Sequence, residues 1–304
     1  MEKKFQGVYA VLCTPFTQDD KHALSVVEGI DEMTLRKHLR FLLDEGKVHG
    51  IIPTGSTGEF AALTEEERLS VAEITIDEVK GKVPVVVGTA SVSTRKTIEY
   101  SQFAQNAGAD GVMVVPPYYC HPNDKEIFSH YKALSENIDI PIVIYNNPST
   151  SGVDMQPSLV ARLAEFDRIS YIKESSGDMT RVAQLMRLCG NNIDIFCGCD
   201  TLAMEMFAIG VTGWIAPAAN MLPQLCVELF ELAAIQKDID KAKKLYFRLL
   251  PLLTMFESTG QYVQLTKAGM DILGRPVGIP RLPLQPPTEQ ARQKLNEILD
   301  SLLA

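Results

Sequence analysis

The sequence predicts an α/β protein, a parallel (β/α)8 or TIM barrel followed by a C-terminal helical extension. Three observations carry this. Eight short apolar runs rich in Val and Ile lack the polar alternation of a half-exposed strand, so each reads as a strand covered on both faces. Amphipathic helical segments separate them at roughly 20–40-residue spacing, with no linker. No GxGxxG follows the first run, which weighs against a doubly wound open sheet.

In order, the runs are GVYAVLCTPF from Gly7, HGIIPTG from His49, VPVVVGTA from Val83 and DGVMVVPPYY from Asp110. IPIVIYNNP from Ile140, ISYIKESSG from Ile169, IDIFCGCD from Ile193 and GWIAPAA from Gly213 complete the set. Among the helices, TEEERLSVAEITIDEVKGK (64–82) opens on a capping box of Thr64 and Glu67. SVSTRKTIEYSQFAQNAGAD (91–110) stops on Gly108. Beyond the eighth run come LPQLCVELFELAAIQ, DKAKKLYFRLLPLLTMFE and a helical stretch at Gln261–Leu273. The GRPVGIPRLPLQPP linker then leads to a last helix from Thr288. Residues 1–220 are thus expected to form the barrel. Residues 221–304 are expected to pack on it and on a neighbouring subunit of a homo-oligomer.

The chain has 304 residues, 46% hydrophobic and 22% charged, with a net charge of −9. That acidity argues against a nucleic-acid or anionic-membrane partner. No apolar run approaches the ~18–20 residues of a spanning helix. The start, MEKKFQGVYAVLCTPF, looks superficially like a signal peptide, but it breaks at Thr14-Pro15 with no small-residue cleavage site, so a cytoplasmic protein is expected. Six scattered cysteines make no CxxC pair, and five histidines make no HxH or HExxH pair. The cysteines read as small buried side chains in a reducing compartment, and neither a metal nor a cofactor is expected.

In such barrels the chemistry sits at the carboxyl ends of the strands. Polar residues there are Gly55-Ser56-Thr57-Gly58-Glu59, Tyr118-Tyr119, Tyr145 and Lys173. Lys173 is the most informative, because it lies inside ISYIKESSGD before any turn residue. A buried lysine costs several kcal/mol unless paired or neutral. One reading is an ion pair with a carboxylate such as Glu174. The other is a desolvated amine that forms a Schiff base with a carbonyl substrate, and the converging polar groups favour it. The two glycines of GSTG let the backbone approach a ligand, and its N–H groups suit a carboxylate, although the loop also reads as a tight βα turn.

The segments TPF (14–16), GSTGEF (55–60), VPPYY (115–119), YNNP (145–148), KESSGD (173–178) and AAN followed by Pro223 run in one order along the chain. Together they resemble the pyruvate-dependent class I aldolases and lyases, the family of dihydrodipicolinate synthase and N-acetylneuraminate lyase. The resemblance implies that Lys173 forms an imine with C2 of pyruvate, and that Tyr145 relays protons at that carbon and at the C–C bond. It implies that Ser56 links Tyr145 to a second tyrosine, Tyr119, often lent by a neighbouring subunit. Thr57 matches the carboxylate cradle and Ile215 a backbone contact to pyruvate. Glu59 reads as a brace of its loop.

The partner half of the substrate is less determined. Dihydrodipicolinate synthases usually carry an arginine shortly after YN-x-P, where this chain has Thr150, and a threonine cannot make a bidentate pair with a carboxylate. N-acetylneuraminate lyases carry two acids after the glycine of strand seven, where this chain has Asp200 and then Thr201. Candidate contacts to an aldehyde or 2-keto acid are Thr150, Ser175 and Asp200. The expected function is a Schiff-base lyase or aldolase acting on a 4-hydroxy-2-oxo or 2-keto-3-deoxy acid. Alternatives are 4-hydroxy-tetrahydrodipicolinate synthesis, N-acetylneuraminate cleavage, a dehydratase using the same imine, and an inactive 2-oxo-acid-binding protein.

Overall fold

The computed structural model describes residues 5–17 and 29–304, so Lys3 and Lys4 of the signal-like start lie outside the described residues. Eight parallel strands form one sheet: β1 Gly7–Val11, β2 Gly50–Ile52, β3 Val86–Gly88, β4 Gly111–Val114, β5 Ile142–Asn146, β6 Ile169–Glu174, β7 Asp194–Cys197 and β8 Gly213–Ala216. Their spatial order is β2-β1-β8-β7-β6-β5-β4-β3. A parallel bridge from Ile51 to Val85 joins the two ends of that order, so the sheet curls into a nearly closed barrel.

Each crossover carries the helices expected of a βα unit. They are α1 Glu32–Arg40, α2 Glu65–Val79, α3 Thr94–Ala107, α4 Asp124–Ser135, a short α5 Pro148–Ser151, α6 Pro157–Leu163, α7 Met179–Cys189 and α8 Ala203–Ala208. The capping box of α2 is present, with Thr64 and Glu67 each bonding the other's backbone. Gly108 ends α3 at φ 98°, a left-handed position that costs glycine nothing. After β8 follow α9 Pro223–Phe230, α10 Ile239–Thr259, α11 Tyr262–Ile272 and α12 Glu289–Leu303, the last capped by Thr288. Among the described residues no helix is long and apolar enough to cross a membrane.

Two cores follow from strand parity, since alternate residues face opposite sides of the sheet. The larger lies between sheet and helices. The smaller fills the barrel with Phe5, Tyr9, Val11, Ile52, Val86, Met113, Val143, Tyr145, Tyr171, Phe196 and Ile215. Phe5 stacks on Tyr171 at 4.7 Å between centroids, and Tyr9 meets Phe196 edge-on at 5.2 Å. Glycine is required beside these rings: a Cβ on Gly50 would collide with Tyr9, and one on Gly213 with Phe196. The aromatic plug blocks the barrel from below, so the open mouth is the carboxyl end of the strands.

Candidate active site

Strand register places the two central groups. Tyr145 on β5 pairs with Lys173 on β6. Lys173 Nζ lies 4.2 Å from the centre of the Tyr145 ring. Both side chains are buried, at 6% exposure each. Glu174 is not the partner of Lys173. Its carboxylate accepts from Asn146 Nδ2 (3.1 Å) and from the Ser176 N–H (2.7 Å), so the ion-pair reading of the lysine is set aside. Burial raises the Glu174 carboxyl above its usual range. Gly198 of the β7 loop lets the lysine stem through, because a Cβ there would come within 2.8 Å of Lys173 Cγ and 2.9 Å of Cε.

The mouth has two adjoining lobes. The polar lobe, of about 210 Å³, holds Lys173, Ser56, Thr57, Ser175, Gly198 and, from the extension, Glu257. The apolar lobe, of about 400 Å³, is lined by Phe60, Ala61, Val115, Tyr118, Pro283 and their neighbours. Tyr145, Asn147, Thr150, Ser56 and Leu284 belong to both. Lys173 is the sole basic side chain among the described residues of the polar lobe. Arg281 borders the apolar lobe, with its guanidinium on the Ala62 carbonyl (3.1 Å) and Glu67 (2.6 Å).

The loop of Ser56 and Thr57 is clamped from beneath. Thr14 donates to the Gly58 carbonyl at 2.7 Å, and Thr54 to the Gly88 carbonyl at 2.8 Å. Glu59, left-handed at φ 57°, forms a 2.6 Å ion pair with Lys267 of α11, each side chain 1% exposed. Lys267 also donates to the Ile279 carbonyl at 3.0 Å and lies 4.1 Å above the Phe16 ring. Burial lowers the Lys267 ammonium below its usual range, and Glu59 opposes that. Glu59 is therefore spent on the scaffold, which gives TPF and GSTGEF one joint architectural task.

Other expected residues stand further from the amine. Tyr119 is 84% exposed and lines neither lobe. Ile215 is buried in the barrel core, its backbone in register with Tyr9. Asp200, placed in the sequence as an acceptor contact, does not line the polar lobe. It is 1% exposed behind the wall, where Trp214 Nε1 donates to it at 2.7 Å. Its N–H donates to Glu257 (2.6 Å), whose other oxygen accepts from Tyr262 (2.6 Å). Glu257 and Tyr262 were not legible, because nothing local marks helices of the extension as part of a mouth. Asn147 was missed too, and its Nδ2 donates to the Tyr145 hydroxyl oxygen at 2.8 Å. Ser175 keeps a buried Oγ without a protein partner. Among the described residues, no group of three His, Cys, Asp or Glu side chains could hold a metal ion.

Burial, and then Glu257, push the Asp200 carboxyl up to about 7, against the pull of Trp214 and Lys173. An unfolded aspartate titrates near ~3.9, so the native state holds a proton that the unfolded chain loses between about pH 4 and pH 7. Stability from this group is therefore complete below about pH 4 and is lost as pH rises through 7. Asp200→Asn should gain roughly 2–4 kcal/mol over the parent at pH 8 and nothing near pH 4. Denaturant unfolding at both pH values checks this, and an equal difference at the two would contradict it.

Residues 4–302 match the model of the dihydrodipicolinate synthetase family. A 4-hydroxy-tetrahydrodipicolinate synthase of Methanothrix thermoacetophila is 37% identical over 300 residues, covering 98% of this chain and 97% of the relative. One from Pelobacter propionicus is 38% identical over 298 residues, covering 98% of each. Among solved structures, the dihydrodipicolinate synthase of Thermotoga maritima superposes with a TM-score of 0.92 at 30% identity, covering 99% of this chain and 100% of that one. The 4-hydroxy-tetrahydrodipicolinate synthase of Methylacidiphilum fumariolicum does so with a TM-score of 0.92, also at 30% identity, covering 99% and 96%. With the barrel, the mouth lysine and the tyrosine beside it already in place, these matches over nearly the whole length show that the chain belongs to the dihydrodipicolinate synthetase family.

Proposed function

We propose that the protein is a class I lyase or aldolase that makes or breaks a C–C bond with pyruvate as one partner. The observation that carries this reading is the buried Lys173 amine against the Tyr145 ring on the floor of a polar lobe at the barrel mouth. The amine attacks C2 of pyruvate and expels water, leaving a protonated imine. That imine is an electron sink, so loss of a C3 proton gives an enamine. The enamine adds to an aldehyde carbonyl, or forms when a 4-hydroxy-2-oxo acid breaks in the reverse direction. Hydrolysis then frees the lysine. Tyr145 carries protons at these steps, and Thr57 with its loop receives the pyruvate carboxylate. Ser56 lines both lobes beside Tyr145, and Ile215 supplies backbone in the barrel wall below.

Tyr119 reaches this site only from a second copy of the chain, consistent with a homodimer or homotetramer. Thr150 and Ser175 border the space for the partner substrate, an aldehyde or 2-keto acid. Similar proteins, those of Methanothrix thermoacetophila, Pelobacter propionicus and Methylacidiphilum fumariolicum among them, are named 4-hydroxy-tetrahydrodipicolinate synthase, which favours that activity as a second reading. Among the described residues the polar lobe offers no arginine to hold a second carboxylate, which favours a partner without one. Borohydride reduction in the presence of pyruvate should fix a pyruvate-derived mass on Lys173, located by peptide mapping. An unlabelled Lys173 would remove the basis of the proposal. A screen of aldehydes and 2-keto-3-deoxy acids, with dihydrodipicolinate formation included, assigns the partner.

A further inference from the structure

We infer that Asn147 is a positioning residue for Tyr145: its amide donates to the phenol oxygen and directs the phenol's own proton toward the polar lobe. The inference rests on the reading of Tyr145 as the proton carrier.

The two asparagines of YNNP do different work. Asn146 is fully buried in the barrel wall. Its amide nitrogen donates to Glu174 (3.1 Å) and its oxygen accepts from the Met155 N–H (3.0 Å), so it straps β5 to β6 and to the chain beyond. Asn147, one residue on, faces the mouth and borders both lobes. Its Oδ1 accepts from Ser149 Oγ at 2.9 Å, which turns Nδ2 toward Tyr145 Oη at 2.8 Å. Its backbone carbonyl accepts from the Ser151 N–H (2.9 Å) and from Ser151 Oγ (2.8 Å), which holds the residue at the start of α5. The amide is thus fixed from both sides before any substrate arrives.

The chemical consequence follows from the donor count. A phenol has one O–H and two lone pairs. With Asn147 donating to one lone pair, the O–H and the second lone pair are left for a reacting atom in the lobe. The same donated bond is aimed at the oxygen on which charge builds while a C3 proton of the imine is handed on, so it is in place for the transition state. Lys173 against the ring face keeps the phenol from swinging away. This arrangement is made within one chain, so it does not wait for Tyr119 of another.

The test needs pyruvate alone. Exchange of the pyruvate methyl protons in D2O, followed by NMR over a range of pH, reports enamine formation without a second substrate. Asn147→Val removes the donor, and Asn147→Asp keeps the shape but sets an acceptor against the phenol oxygen. At neutral pH, Asn147→Val should lower the exchange rate ~10–100-fold, with the pyruvate KM changed less than about twofold. Its pH profile should also be displaced from that of the parent. Asn147→Asp should lose more and shift further. Borohydride should still label Lys173 in both, which shows that each is folded and binds pyruvate. An unmoved pH profile in both variants, whatever happens to the rate, would make Asn147 a turn residue only and overturn the inference. Tyr145→Phe serves as the control. If it still exchanges, the reading of Tyr145 itself fails; if it does not, while the Asn147 profiles stay put, only the role of Asn147 fails.

Discussion

Lys173→Met is expected to abolish the borohydride-trapped adduct and to lower turnover by roughly 10⁴-fold or more, in the range seen when a covalent nucleophile is removed. Without the amine, the C2 carbonyl of pyruvate stays neutral and withdraws electrons weakly, so the C3 proton is too reluctant to leave. What remains is binding and whatever orientation the Thr57 loop and Tyr145 provide. The same substitution should not unfold the protein. Methionine keeps most of the stem that threads past Gly198, and it removes the need to desolvate an amine that is 6% exposed. Its unfolding midpoint should therefore equal or exceed that of the parent. Steady-state turnover and thermal unfolding on one sample check both halves. Retained turnover would show that Lys173 is not the nucleophile, and loss of activity together with loss of fold would mean that the lysine is structural.

Lys267→Met has the opposite profile, a large effect on the fold that reaches chemistry second-hand. Removing one member of a fully buried ion pair leaves the other charge stranded, at a typical cost of ~3–5 kcal/mol. Here the stranded group is Glu59, which still accepts the Arg281 N–H at 2.7 Å but has lost its cation. Its loop carries Ser56 and Thr57, so turnover should fall along with stability. Replacing both partners by apolar residues, Lys267→Met with Glu59→Leu, should recover much of the stability, because no charge is then left buried. Chemical denaturation of the single and double variants decides the matter. A single variant within about 1 kcal/mol of the parent would show that the pair does not hold the loop.

Legibility in the sequence depended on whether a residue looked wrong for its neighbourhood. The barrel was readable because Val- and Ile-rich runs without alternation suit only strands covered on both faces. Lys173 was readable because a charged stem inside such a run is anomalous. Lys267 was not, since a lysine in QYVQLTKAGMDIL looks like an ordinary solvent-facing helix position, and only tertiary packing places it at 1% exposure. Asn147 was hidden for a related reason: a polar residue after a strand and before proline reads as a turn former, which it also is. Asp200 was misjudged because its place in the chain says nothing of the Trp214 indole that draws it behind the wall. The shape of the mouth was beyond reach, as α10 and α11 lie well downstream of Lys173, and helical periodicity does not say which neighbour a helix will lean on.

The aromatic plug beneath Lys173 has a kinetic meaning. With Phe5, Tyr9, Tyr171 and Phe196 filling the barrel below, access among the described residues is from the mouth, and traffic through it must queue. On the proposed reading, the reactant that bonds to Lys173 occupies the innermost place, so it enters first and departs last. In the bond-breaking direction the aldehyde leaves ahead of pyruvate; in the bond-making direction it must wait until the imine has formed. With the proposed nucleophile above such a plug, the barrel would impose an order of addition and release without any moving part to enforce it.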